Sequence, residues 1–142
     1  MKKYVALILL LFYSLSLFAI SRIPIRGKSS LPEKRILERR LKQEEIETLL
    51  SRGFTIVTLE YSEDCGRCLQ IKQFLENKVN SPDYKPQTIL EEINVQNLTR
   101  AKVRMLSANG DELLIDPSDQ EIQQTFCKIL INEPVDCAIQ EI

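Results

Sequence analysis

Residues 54–80 read FTIVTLEYSEDCGRCLQIKQFLENKVN, and this stretch decides the fold. Phe54 to Tyr61 is rich in β-branched and aromatic residues and predicts a strand. Polar residues follow at once and lead into a CxxC motif formed by Cys65 and Cys68. From Leu69 to Asn80 the apolar residues recur at steps of three and four without Pro or Gly, which predicts a helix. The order is therefore strand, CxxC, helix.

The position of the motif predicts how its two sulfurs differ. A helix that starts near Cys65 directs its free N–H groups and positive dipole end at that sulfur, which stabilises the thiolate and lowers the pKa of the thiol. Arg67 is expected to act in the same direction, whereas Asp64 opposes it unless its carboxylate caps the helix. Cys68 falls on the apolar face of the helix. These positions predict Cys65 as the attacking cysteine and Cys68 as the one that closes the disulfide.

Composition excludes several other classes of protein. A chain of 142 residues with 44% hydrophobic and 27% charged residues is typical of one globular domain. The net charge of -1 offers no general attraction to phosphate backbones, so nucleic acid is not an expected partner. The absence of histidine from the sequence excludes Ser-His-Asp and Cys-His catalysis and every imidazole metal site. We expect no cofactor and no metal ion.

The first residues predict a route of export. Two lysines precede an apolar stretch that ends at Ala19 and Ile20, the pattern of a secretory signal peptide over residues 1–19. The alternative is an uncleaved anchor, in which case the protein contacts the membrane. Residues 20–31 predict a linker, and residues 32–142 predict the domain. The expected location is the secretory pathway, either the lumen of the endoplasmic reticulum or the outside of the cell.

An oxidising compartment changes the interpretation of the four cysteines. An even number permits two disulfides, and Cys127 and Cys137 are predicted to form a structural one that ties the C-terminal tail to the last helix. Two alternatives stay open for the motif. All four cysteines could bind zinc, although nine residues separate the second pair and structural zinc sites usually offer two tight pairs. The Cys65 and Cys68 pair could instead be a static disulfide without exchange chemistry.

The remaining patterns complete an α/β domain with four strands. The predicted elements are a helix over Pro32–Arg52, strands over Thr88–Val95, Lys102–Leu106 and Glu112–Ile115, and a last helix after Pro117. Gly53 ends the first helix by a left-handed cap. Asn109 and Gly110 between two apolar runs predict a hairpin. Ser118 and Glu121 predict a capping box for the last helix.

This arrangement resembles the thioredoxin fold, and its details resemble most the selenoprotein M and selenoprotein F family of the endoplasmic reticulum. The resemblance runs from about Phe54 to Leu130 and rests on the Cys65-Gly66-Arg67-Cys68 motif, the apolar hairpin and the capped helix. It implies a thioredoxin-like domain with a four-stranded mixed sheet flanked by helices and an extra N-terminal helix. It also implies a thiol-disulfide oxidoreductase that uses both motif cysteines and takes protein thiols or disulfides as substrates.

The chain departs from that pattern in three places. There is no proline between Pro86 and Pro117, so the cis-proline that thioredoxins place opposite the motif is missing. The last five residues, AIQEI, are not a KDEL-type retrieval signal. The resemblance also leaves Cys127 and Cys137 without a role.

A competing hypothesis belongs to a different class of function. In it the same fold is a non-catalytic secreted binding module, and the CxxC disulfide is structural. One modification is conditional on the host, because Asn97-Leu98-Thr99 is an N-glycosylation acceptor in a eukaryote.

Overall fold

The structure is a computed structural model, and it describes residues 32–138. In chain order its elements are β1 (Ile36–Leu37), α1 (Gln43–Ser51), β2 (Thr55–Tyr61), α2 (Gly66–Asn80), β3 (Thr88–Asn94), β4 (Lys102–Ser107), β5 (Gly110–Ile115), α3 (Asp119–Ile129) and α4 (Val135–Ala138). The predicted signal peptide and linker lie outside the described residues. Within residues 32–138, no helix has the length and apolar character needed to span a bilayer.

The five strands form one mixed sheet in the order β1-β3-β2-β4-β5. The first three of these are parallel, and β4 is antiparallel to both β2 and β5. It follows that β5 runs in the same direction as β2 and β3. The carboxyl ends of these three strands therefore meet at one edge of the sheet.

Helices α2 and α3 cover one face of the sheet and form the main core with it. The fully buried residues of this core include Val57, Leu59, Leu90, Val103 and Met105 from the sheet, Ile71, Leu75 and Val79 from α2, and Ile122 and Phe126 from α3. Tyr84 packs its ring edge against Phe126, with centroids 5.2 Å apart. On the opposite face, α1 covers a smaller cluster that includes Ile56 and Ile89.

The predicted helix over Pro32–Arg52 is wrong in its first half. Residues Ile36 and Leu37 form the edge strand β1, so the sheet has five strands instead of four. The N–H of Leu90 donates to the carbonyl of Arg35 at 2.8 Å, and a carboxylate oxygen of Glu91 accepts from the N–H of Leu41. These hydrogen bonds to β3 hold the backbone extended. Local spacing gave no sign of them, because the hydrogen-bond partners lie on β3, far along the chain.

Helix α1 is short but ends as predicted. It begins at Gln43, and Gly53 follows it with a φ of 78°, the left-handed conformation that glycine adopts without strain. The Gly53 N–H donates to the carbonyl of Leu50 at 3.0 Å.

The hairpin between β4 and β5 exists, but its turn differs from the predicted one. The two loop residues are Ala108 and Asn109, and Gly110 is already paired with Ser107. None of them has a positive φ, so this is not the primed turn that Asn-Gly favours. Instead, the Ser107 hydroxyl donates to the carbonyl of Ile129 at 2.8 Å, and the Asn109 side chain donates to that of Leu130. Contacts with the end of α3 decide the turn.

Candidate active site

Three loops meet where β2, β3 and β5 end. The loop after β2 carries the CxxC motif, residues 95–101 follow β3, and residues 116–118 follow β5. The N–H of Asp116 donates to the carbonyl of Ala101 at 2.7 Å, which joins the second and third loops. The motif is therefore framed by chain segments that are distant from it in sequence.

Cys65 is itself the N-cap residue of α2. Its sulfur accepts the N–H of Cys68 at 3.2 Å, which is one of the amides that a helix leaves free at its start. The two cysteines form a disulfide, with Cα atoms 5.2 Å apart. When that bond opens, the amide and the helix dipole favour the thiolate of Cys65.

The two sulfurs differ in exposure. Cys65 is partly buried, whereas Cys68 is 0% exposed and lies in the main core with Ile71 and Leu75. The same face of α2 that carries the apolar side chains carries Cys68. A substrate approaching from solvent therefore meets Cys65 first.

The two residues expected to tune the motif, Arg67 and Asp64, differ in their contacts. The Arg67 guanidinium donates to the carbonyl of Pro117 at 2.8 Å and lies 3.9 Å from the Asp119 carboxylate. Its charge is thus directed to the start of α3, and it ties the motif to the third loop. The capping role considered for Asp64 is taken by Cys65, while Asp64 is exposed.

One neighbour of the reactive sulfur was missed by sequence reasoning. The carbonyl oxygen of Thr99 lies 3.7 Å from Sγ of Cys65. The negative end of this dipole opposes a thiolate and favours a protonated thiol, which is the reverse of the helix effect. The predicted succession of strand, helix and strand held a usable signal, because such a unit makes its two strands parallel, and loops at the carboxyl ends of parallel strands meet at one end of a sheet.

A shallow cleft opens beside Cys65. Its volume is about 500 Å³, and it is lined by Ser62, Asp64, Cys65, Gly66, Asn97, Leu98 and Thr99. Asn97 is exposed and has a φ of 60°, which asparagine tolerates in a turn. Glycosylation of Asn97 stays a prediction. A glycan at this position would share the cleft with Cys65.

An ion pair with a buried carboxylate lies between α2 and β3. Glu92 is 4% exposed, and one of its carboxylate oxygens accepts from the Lys72 ammonium at 3.0 Å. Lys72 is one helical turn beyond Cys68, and it also donates to the Tyr61 hydroxyl at 3.1 Å. Within the described part of the chain, the other carboxylate oxygen has no hydrogen-bond partner.

Burial and pairing act against each other in this pair. Burial raises the pKa of Glu92 above its usual value, and the hydrogen bond and charge of Lys72 offset this only in part. Burial alone would lower the pKa of Lys72, but hydrogen bonds to Tyr61 and Glu92 raise it overall. Lys72 therefore stays charged, and ionised Glu92 depends on it.

Cys127 and Cys137 form a second disulfide, with Cα atoms 5.4 Å apart. It joins α3 to α4, near the end of α3 that is remote from Arg67. The side-chain amide of Gln123 lies 3.5 Å and 3.7 Å from the two sulfurs and donates to the Tyr84 hydroxyl at 2.8 Å. A buried polar network thus surrounds this disulfide.

Replacing Cys127 and Cys137 together by alanine is expected to lower the free energy of unfolding by about 2 to 3 kcal/mol, because the open loop gains entropy in the unfolded chain. Urea unfolding of the non-reduced variant and wild type measures the difference. A loss well under about 1 kcal/mol would show that this disulfide is not structural.

The four cysteines thus form two separate disulfides, which leaves no set of free thiolates for the zinc alternative. Among residues 32–138, His, Cys, Asp and Glu form no group of three or more arranged to hold a metal ion.

Comparison with known proteins supports the fold. No family model matches the chain, and no curated protein is similar to it in sequence. Among solved structures, the crystal structure of Trxlp from Edwardsiella tarda EIB202 matches with a TM-score of 0.50 and 9% sequence identity. The match covers 63% of this chain and 96% of that chain. Likeness at this identity shows the fold alone, and the fold is thioredoxin-like.

Proposed function

We propose that the protein is a thiol-disulfide oxidoreductase that acts on protein thiols or disulfides through Cys65 and Cys68. The observation that carries the proposal is the asymmetry of the pair. Cys65 sits at the start of α2, partly exposed beside a cleft, and its sulfur accepts a helix amide. Cys68 is fully buried within reach of it. An attacking thiolate needs the first environment, and a resolving cysteine is protected by the second.

The proposed reaction moves two electrons in two exchange steps. In the reducing direction, the Cys65 thiolate attacks one sulfur of a substrate disulfide, and the other substrate sulfur leaves as a thiolate. Cys68 then attacks Sγ of Cys65, and its proton passes to the second substrate sulfur. The intramolecular disulfide closes, and that sulfur is released as a thiol. The same steps in reverse oxidise a substrate dithiol.

The proposed setting is the secretory pathway, in the endoplasmic reticulum lumen or outside the cell. It is supported by the signal-like residues 1–19 and by an even number of cysteines. Membership of the selenoprotein M and selenoprotein F family is part of the same proposal, supported by the sequence of the motif and the hairpin that follows it.

A redox titration tests the exchange chemistry. The variant in which Cys127 and Cys137 are alanine keeps a single titrating pair, and its thiols are counted after equilibration with glutathione or dithiothreitol buffers. We expect a reduction potential above about -300 mV, where a compartment's thiols can open the bond. A potential below about -300 mV is typical of a structural disulfide and would favour the non-catalytic binding module.

A further inference from the structure

Among residues 32–138, the face of the sheet opposite the main core is only partly covered. Of the described helices, α2 and α3 contact the main core, and α1 contacts the opposite face. The connection from β3 to β4, residues 95–101, contains no helix. On the β5 side of this face, Leu113 is 60% exposed and Ile115 is 50% exposed. Two large apolar side chains on one short strand indicate a contact surface.

The outer edge of β5 is the second feature of this surface. In the part of the chain that the structure describes, β5 is the last strand of the sheet. The Asp116 N–H donates to the Ala101 carbonyl, and this bond fixes which backbone groups of the β4–β5 ladder point inward. By the alternation of an antiparallel ladder, the N–H and C=O groups that point outward belong to Asp111, Leu113 and Ile115. We call the edge and these three side chains the β5 surface. An edge of this kind is a template for another strand.

The charges around the β5 surface are paired within the chain. Arg104 donates to Asp111 at 2.9 Å and 2.6 Å. Glu60 lies 2.6 Å from the Arg40 guanidinium and 3.7 Å from the Lys102 ammonium. These groups sum to only one positive charge, so a strongly charged partner gains little long-range attraction. The surface suits an apolar strand whose charges are already paired, and a second β5 is such a strand, because Arg104 pairs with Asp111 and Lys128 with Glu112 of the same copy.

Charge also selects a register for two antiparallel copies of β5. With Leu113 opposite Leu113 of the second copy, Glu112 faces Leu114. Sliding one copy by two residues puts Glu112 opposite Glu112, and sliding it the other way puts Glu112 opposite Asp116. Like charges directly opposite are destabilising. If one copy slides by one residue, the outward N–H and C=O groups of the two strands no longer face each other. The register centred on Leu113 avoids both the opposed like charges and the unpaired backbone groups.

We propose that the β5 surface joins two copies of this protein by antiparallel pairing of β5 about Leu113, so that their sheets become continuous. The contact is one short strand and four large apolar side chains. This is smaller than a standard stable interface, so the dimer is expected to form in a concentration-dependent way.

Sedimentation equilibrium of the purified protein over a wide range of concentration measures the association. We expect a monomer-dimer equilibrium, and we expect Leu113→Lys to raise the dissociation constant by at least about tenfold because each lysine then meets its own copy. Val135→Lys is the matched control, since Val135 is 66% exposed on α4, outside this surface. Its dissociation constant should equal that of wild type. A monomer at every concentration, or equal weakening by both variants, would overturn the proposal.

Cross-linking tests the register. In a background with Cys65 and Cys68 changed to serine, Leu113→Cys should form an intermolecular disulfide on mild oxidation. Opposed residues of this type have Cα atoms about 5.5 Å apart, within the range a disulfide spans. Glu112→Cys should not cross-link, because the proposed register separates its two copies by more than about 7 Å. Efficient cross-linking of Glu112→Cys, or no cross-linking of Leu113→Cys, would contradict the pairing.

Discussion

Cells that express the Cys68→Ser variant are expected to accumulate the protein joined to its substrates by mixed disulfides. Cys65 keeps its place at the start of α2 and still attacks, but no buried thiol remains to release the adduct. The Cys65→Ser variant should trap less by more than about tenfold, because Cys68 is not reachable from solvent. Non-reducing gels after acid quenching measure the adducts, and mass spectrometry identifies the substrates.

The variant in which both Cys65 and Cys68 are serine is the control for adducts formed by the other two cysteines. Equal trapping by the two single variants would contradict the roles assigned to them. If neither variant traps a substrate under oxidising conditions, the static disulfide becomes the better interpretation of the motif.

The second large effect is expected at the ion pair between α2 and β3. Replacing Lys72 by methionine leaves the Glu92 carboxylate buried without its cation, and one of its oxygens already lacks a hydrogen-bond partner among the described residues. We expect the free energy of unfolding at neutral pH to fall by about 3 kcal/mol, the lower end for removing one partner of a buried pair, because solvent reaches the Lys72 ammonium. Urea unfolding measures the loss.

The loss should depend on pH in one direction. Burial raises the pKa of Glu92 in the folded protein above its unfolded value, and Lys72→Met removes the group that offsets this. A carboxyl with a raised folded pKa contributes stability below the unfolded pKa and loses it as pH rises through the folded pKa. The deficit of the variant should therefore be small near pH 4 and largest at neutral pH.

A double-mutant cycle isolates this effect. In a protein that already carries Glu92→Gln, no buried carboxylate is left to lose its cation. Adding Lys72→Met to this protein should therefore lower the free energy of unfolding much less than in wild type, with little dependence on pH. A deficit of Lys72→Met that stays constant with pH, or that survives in the double variant, would show lost packing and not an unpaired carboxylate.

Sequence reasoning was correct for the elements whose signals are local. The β-branched run of β2, the helical spacing after Cys68 and the capping box of Ser118 and Glu121 all act within a few residues, and each is present in the structure. The capping box shows this directly, because the Glu121 N–H donates to Ser118 Oγ at 3.2 Å and the Ser118 N–H to the Glu121 carboxylate at 2.7 Å. Burial of Cys68 followed from its spacing alone.

The features that sequence reasoning missed depend on partners distant in the chain. Ile36 and Leu37 form a strand because β3 supplies hydrogen bonds to that backbone, and their apolar spacing is equally compatible with a helix. The turn at Asn109 is set by carbonyls at the end of α3, which outweigh the local preference of Asn-Gly. In both cases a tertiary hydrogen bond decides between local conformations that differ little in free energy.

The candidate site divides in the same way. The sequence by itself determined that Cys65 lies near the start of a helix that follows a strand and that Cys68 lies on the apolar face of that helix, since both follow from helical and strand periodicity. Only the tertiary structure decided what faces them: the Thr99 carbonyl beside Cys65 and the Pro117 carbonyl that holds Arg67. Strand order brings these loops together, and strand order is fixed by pairing and burial across the whole sheet, not by any spacing along the chain.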